Sequence, residues 1–344
     1  MKALLLTLLA LFAWGMEDLF LKESADIDDS RTSLKIAAVL GLIMGVALIV
    51  ISPYSESRLP LGKLVMDNLF FLLVPAAYAV TMVISNIGLR YLDMSIMSPM
   101  ENASGGLPVI ILFVYFWVTK DINHVIDEVG GLDITGTALI LAGIIALAIV
   151  QHSLFLKGGQ QVSDKKRTLA KYGALALLFP LLFCLFDTFE TVVCGIMLHG
   201  DERESIGQFD MIRLYTLMFL IVGIISYAAL CIGEKRLYNP FRKKETPKIV
   251  AGVLETAAYI SYVMAMALKP LLVAPVISSY CVLSIILVRI FLKEKLKRAQ
   301  YVCIMLVIGG IVLLGISEGL SEAGDDGGDA GIKTETVEKS AAKE

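Results

Sequence analysis

Ten blocks of mostly apolar residues recur along the 344-residue chain, near 2–22, 34–51, 68–88, 94–118, 133–151, 171–198, 211–233, 249–268, 271–291 and 300–318. Most reach the ~20 residues that a helix needs to cross a hydrocarbon layer. With 57% of residues apolar and a mean hydropathy of +0.75, no soluble core could hide this much apolar surface. The solvent for most of the chain is therefore lipid, and the only open-ended element that lipid permits is the helix. The first block carries Lys2 and no small-residue cleavage pattern before Glu17, and it continues to Lys22. It reads as a retained span rather than a signal peptide.

The five cysteines all fall inside the blocks, with no metal-ligand spacing and no loop partner for a disulfide. His124, His152 and His199 lie far apart at loop positions, so neither an enzyme centre nor a resident metal or cofactor is expected. A net charge of −3 gives no basis for nucleic-acid binding. The stretch after residue 318 is glycine-rich and charged, without apolar periodicity, and is expected to be disordered over 319–344. Nineteen Lys and Arg side chains lie in the odd-numbered connections and six in the even ones. That bias places the odd connections in the cytoplasm and both termini outside.

An internal repeat organises the spans. Ser98–Leu112 and Ala274–Val288 align without gaps at an offset of 176, each with a proline (Pro99, Pro275), then small and polar residues, then an aliphatic run. At an offset of 170, Glu17 falls on Asp187. Two five-span units follow, 1–151 and 171–318, joined by 152–170. Because five is odd, the second unit is inverted relative to the first, an arrangement typical of transporters with a site at the repeat interface.

Trp14-Gly15 in the first span, Leu89-Arg-Tyr-Leu-Asp-Met-Ser95 ahead of Pro99, and Ile290-Phe-Leu-Lys-Glu-Lys-Leu296 before a glycine-rich last span resemble the EamA-type transporters of the drug/metabolite transporter superfamily. The resemblance implies an all-α membrane protein of ten transmembrane helices, as two five-helix inverted repeats around a central cavity, working by alternating access. The first-unit connection, Thr119–Glu128, departs from the pattern in lacking a Lys-Glu turn.

Six carboxylic acids sit inside the blocks: Glu17, Asp18, Glu101, Asp187, Glu190 and Glu255. Each costs about 2.5–3.5 kcal/mol at a helix centre facing lipid, so they must face a wet interior, pair, or be protonated. At ~1.5 Å rise per residue, Glu17, Glu101 and Glu255 fall roughly 8–10 Å inside the odd-connection side, with Asp187 and Glu190 deeper. This suggests an acidic vestibule. Trp14 and Glu17 share a face at i, i+3, and Glu255, Tyr259 and Tyr262 form a stripe at i, i+4, i+7. Tyr78, Thr81 and Ser85 make a polar stripe on the third span; Asn102 and Tyr280 lie in the two aligned segments. Asp18 points ~100° away from Glu17 and is expected at a helix–helix contact.

Bases are almost absent from the spans, which disfavours phosphate-bearing substrates. Carboxylates among aromatic rings suit an organic cation, and burial favours the protonated form of a carboxyl group. The expected function is proton-coupled secondary transport of a small organic cation, amine or zwitterionic metabolite or drug. Transport of neutral or anionic metabolites such as amino acids or sugars, and a non-transporting membrane scaffold, remain alternatives. The expected setting is the plasma (cell) membrane, with lipid, protons and a small-molecule substrate as partners. A homodimer is compatible with the sequence.

Overall fold

The computed structural model describes residues 1–24, 31–88, 98, 101–102, 106–119, 130–156, 178–199, 205–291, 296–317 and 320. Among these residues every regular element is helical. Eight helices are long and apolar enough to cross a membrane, and two shorter apolar ones accompany them. The chain is an integral, multi-pass membrane protein. The motif at 89–95, Pro99, the connections at 120–129 and 157–177, and the tail beyond 320 lie outside the described residues.

Twelve segments carry the architecture: α1 Lys2–Ser24, α2 Thr32–Ile51, α3 Leu61–Asp67, α4 Leu73–Gly88, α5 Gly106–Thr119, α6 Gly131–Leu156, α7 Leu178–His199, α8 Gln208–Glu234, α9 Thr246–Met266, α10 Pro270–Ile277 and α11 Tyr280–Phe291, and α12 Arg298–Ser317. The expected third span at 68–88 is shorter than the sequence suggests, because 68–72 form turns and α4 starts at Leu73. The expected ninth span is divided. Pro275 lies inside α10, and the helix stops at Ile277 before Ser278-Ser279 turn into α11. Proline removes one backbone donor and crowds the preceding turn. Such a break survives at membrane depth only where protein or a wet cavity receives the freed groups. The backbone N–H groups of Ser278 and Ser279 bond Ala274 and Val276 in the turn just before the break, and their hydroxyls return to the same two carbonyls.

The largest packing interfaces pair α2 with α8, α1 with α9, and α4 with α7. Two of the close approaches need glycine. A Cβ on Gly41 of α2 would lie 2.5 Å from the Cα of Gly223 on α8, and a Cβ on Gly310 of α12 would lie 2.5 Å from the carbonyl oxygen of Gly136 on α6. In lipid, where hydrophobic burial no longer drives helices together, such small-residue contacts and polar bonds hold the bundle. The Gly41–Gly223 crossing also coincides with a further repeat in the sequence. Asp28-x-x-Arg31 precedes Gly41 with the same spacing as Asp210-x-x-Arg213 precedes Gly223.

One apolar cluster joins α1, α2, α4, α5 and α7 to α10 around the centre of the bundle; a second joins α6 and α12 to α10 and α11. The N-terminal helix is an integral part of this core: it packs on α9, α10 and α11, and Ala10 is wholly buried.

The ends of α2 and α8 carry paired charges. At the even-connection end, Arg213 donates to Asp210 Oδ1 at 2.8 Å, to Ser55 Oγ at 2.6 Å and to the Leu59 carbonyl at 3.0 Å. Glu56 accepts from the backbone N–H groups of Phe209 and Asp210, capping α8. At the odd-connection end, Lys35 pairs with Glu234 at 3.3 Å, and Glu245 accepts from Lys248 at 2.8 Å and from the Tyr238 hydroxyl at 2.9 Å. Arg213 and Lys248, read from sequence as connection residues, are in fact buried within α8 and α9.

Candidate functional site

The six intramembrane acids converge. Side chains of α1, α4, α5, α7, α9, α10 and α11, with Glu101 and Asn102, enclose a cavity of about 50 Å³. One water needs ~10–15 Å³ by the same measure, so this conformation holds several waters. A drug-sized ligand asks for a wider cavity.

The eleven residues expected to bind substrate or proton line this cavity, whereas Thr81 of the polar stripe instead bonds the Ala77 carbonyl. Trp14 and Glu17 come from α1, Tyr78 from α4, and Asp187 and Glu190 from α7. Glu255, Tyr259 and Tyr262 come from α9, and Tyr280 from α11, with Glu101 and Asn102 completing the set. No Lys or Arg is among the lining residues.

The acids differ in what holds them. Glu255, fully buried, accepts the Trp14 indole N–H at 2.5 Å and the Tyr78 hydroxyl at 3.3 Å, and lines the cavity with Glu17. Trp14 thus serves the acid on α9 rather than Glu17, its neighbour one turn along the same helix. Glu190 accepts from Tyr215 at 2.6 Å and more distantly from Tyr259 at 3.5 Å. Ser85 donates to Glu101 at 2.7 Å. Asp187 is different: among the described residues no hydrogen-bond donor and no base meets its carboxylate.

Asp18 departs from the expectation in part. It makes the helix–helix contact anticipated for it, accepting from Ser98 at 2.8 Å and from Ser284 on α11 at 2.5 Å. It also lines the cavity beside Glu17. Both outcomes follow because α1 is surrounded by protein on the faces that its two acids occupy.

The aromatic residues form one continuous assembly. Trp14 lies against Tyr262 and Tyr280, with ring centroids 5.5 Å and 5.8 Å apart. Tyr259 joins Tyr262 at 6.0 Å and Tyr78 at 6.0 Å. Tyr215 of α8 stacks on Tyr259 at 4.5 Å and supplies the shortest bond to Glu190. Sequence reasoning missed Tyr215, since its helix carries none of the six intramembrane acids. Its partner stands 25 positions away in another helix.

Comparison with known proteins places this architecture. The model of the EamA-like transporter family matches residues 174–316. In sequence, no curated protein matches the chain. A solved structure titled only "Crystal structure of protein" is similar over 90% of this chain and 95% of that one, with a TM-score of 0.57 and 12% identity. At that identity the likeness is one of fold.

Proposed function

We propose, from an EamA-like second half and the acid-lined centre, that this protein is a secondary transporter for a small organic cation, amine or zwitterion. It exchanges its substrate against protons by alternating access. The observation that carries the reading is the cavity itself: six carboxylic side chains, a wall of aromatic rings and no base among the lining residues. A cation is attracted to carboxylates and to the faces of Trp and Tyr. An anion meets like charge there with nothing to pair it. Asp187 is the natural seat for the ammonium, because among the described residues no donor competes for its oxygens.

The ten-helix inverted repeat belongs to the same proposal. Exchanging the halves sends the α1–α9 pair onto the α4–α7 pair and returns α2–α8 and α6–α12 to themselves. These are the pairings that dominate the bundle or close on glycine. The repeated Asp-x-x-Arg and glycine spacing supports it in the sequence. Rocking of such halves alternates access to a fixed central site. On this reading the units span 1–151 and 171–318, and the plasma membrane is the proposed location.

A thermal-shift screen of the purified protein separates the substrate classes. Primary and quaternary amines should raise the melting temperature with the logarithm of ligand excess, while amino-acid anions and sugars should not. Stabilisation by sugars or anions alone would overturn the cation assignment.

A further inference from the structure

The connection between α8 and α9, residues 235–245, is fixed from within. Tyr238 is its buried anchor: its hydroxyl donates to Glu245, its carbonyl accepts from the Tyr227 hydroxyl, and Lys35 of α2 lies 5.8 Å over its ring. The Asn239 side chain accepts from the backbone N–H of Phe241 at 2.9 Å and closes a turn. The acids at this end already have bases. Glu234 meets Lys35 and Arg236, and Glu245 meets Lys248, with Lys244 at 4.0 Å.

The outer face of the same connection is of another kind. Leu237 is 79% exposed and Phe241 77%, and they continue an apolar surface that reaches the last turn of α8 at Ile232. Lys235, Arg242 and Lys243 are exposed as well, and among the described residues no carboxylate pairs with any of them. Lys235 ends α8 with a φ of 52°, a left-handed position that favours glycine, so the backbone alone does not ask for a cation there. A connection that is basic only to set topology needs Lys and Arg, but it has no use for Leu237 and Phe241 held outward beside them. Water suits those two side chains badly. A bilayer boundary suits the whole set, because acyl chains take the apolar groups and headgroup phosphates take the cations. The connection is placed for this, since it joins two membrane spans directly.

We infer that the α8–α9 connection is a binding site for an anionic phospholipid. Lys235, Arg242 and Lys243 meet the headgroup phosphate, and Leu237 and Phe241 lie among the acyl chains. The site stands apart from the central cavity and does not depend on the transport reading.

The test uses full-length protein in a non-ionic detergent, with one-lipid adducts counted by native mass spectrometry. Dioctanoyl phosphatidylglycerol, dioctanoyl phosphatidylcholine and glycerol phosphate are the probes. A base at a membrane surface contributes roughly fivefold in affinity for an anionic lipid, so wild type should prefer phosphatidylglycerol over phosphatidylcholine at least tenfold. The combined variant Lys235→Gln, Arg242→Gln, Lys243→Gln should bring that ratio to within about twofold. Leu237→Ser with Phe241→Ser should weaken both lipids about tenfold or more, through lost apolar burial, and keep their ratio. Equal binding of the two lipids by wild type, or an unchanged preference in the glutamine variant, would overturn the headgroup contact. Wild-type affinity in the serine variant would overturn the acyl contact. Glycerol phosphate bound as tightly as the lipid would make the site one for soluble phosphate instead.

A second measurement needs no variant. Raising salt from about 0.1 to 1 M shortens the screening length roughly threefold, and the wild-type preference for phosphatidylglycerol should fall at least fivefold. A preference indifferent to salt would overturn the assignment.

Discussion

The two ends of the α2–α8 pair and the centre of the bundle treat buried charge in opposite ways. At the ends, Arg213 meets Asp210, Lys35 meets Glu234, and Lys248 meets Glu245, each pair at 3.3 Å or less. In the centre, six acids share one cavity without a lining base. The ends show what a structural solution looks like. A buried ion is matched by its opposite and its remaining sites are filled by hydroxyls or carbonyls. Among the described residues that line it, the centre has hydroxyls and an indole and no Lys or Arg. Burial alone does not explain that difference, because Asp210, Arg213, Glu245 and Lys248 at the ends are as buried as Glu17, Glu101, Glu190 and Glu255 in the centre. On the proposed reading, the positive charge that the centre receives comes from substrate or proton.

Removing one member of an end pair should be the most damaging change. Arg213→Met strands Asp210 against its serine partners, and breaking such a buried pair costs about 3 kcal/mol or more. A clear fall in melting temperature and in monodisperse yield is expected; wild-type stability would show that the end pairs are not structural. Glu245→Gln, which weakens its bonds to Lys248 and Tyr238, should cost about 2 kcal/mol, read as a smaller loss of melting temperature. A double-mutant cycle with Lys35→Met and Glu234→Gln should return about 0.5–1 kcal/mol, since both side chains retain some solvent contact, 9% and 12%. A coupling several times larger would mean that this end is as dry as the centre. Asp187→Asn should have the smallest effect on stability, within about 0.5 kcal/mol and stabilising if anything, because it removes a charge with no partner to lose. A large destabilisation would reveal a hidden structural role for Asp187 and erase the contrast.

Much of this was legible in the chain because lipid makes sequence unusually explicit. An apolar run of span length has few alternatives, and an acid inside one has to be explained. That is why Glu17, Glu101, Asp187, Glu190 and Glu255 stood out, and why the tyrosines spaced from Glu255 could be placed beside it. What was illegible depends on partners in other helices. The Trp14 indole could be assigned to the face of Glu17, but nothing local says that it reaches Glu255, 241 positions away. Tyr215 sits in a helix that carries none of the six intramembrane acids. Pro275 announced a disturbance in the ninth span but not that the helix would end at Ile277 and restart at Tyr280. The charge of Arg213 suggested a connection residue, because a paired arginine inside a helix end looks the same in sequence as a solvated one. The repeated Asp-x-x-Arg and glycine spacing was available to reading and became conspicuous only when Gly41 and Gly223 met.

The central claim, that the acids of the cavity carry both proton and cation, is tested most directly in proteoliposomes under an imposed pH gradient, with benzyltrimethylammonium as the transported probe. Wild type should accumulate the probe at the expense of the gradient. Asp187→Asn and Glu101→Gln, each shown to fold by its melting curve, should reduce this uptake at least tenfold, equivalent to about 1.4 kcal/mol. Proton-coupled uptake at wild-type rates in both variants would contradict the account.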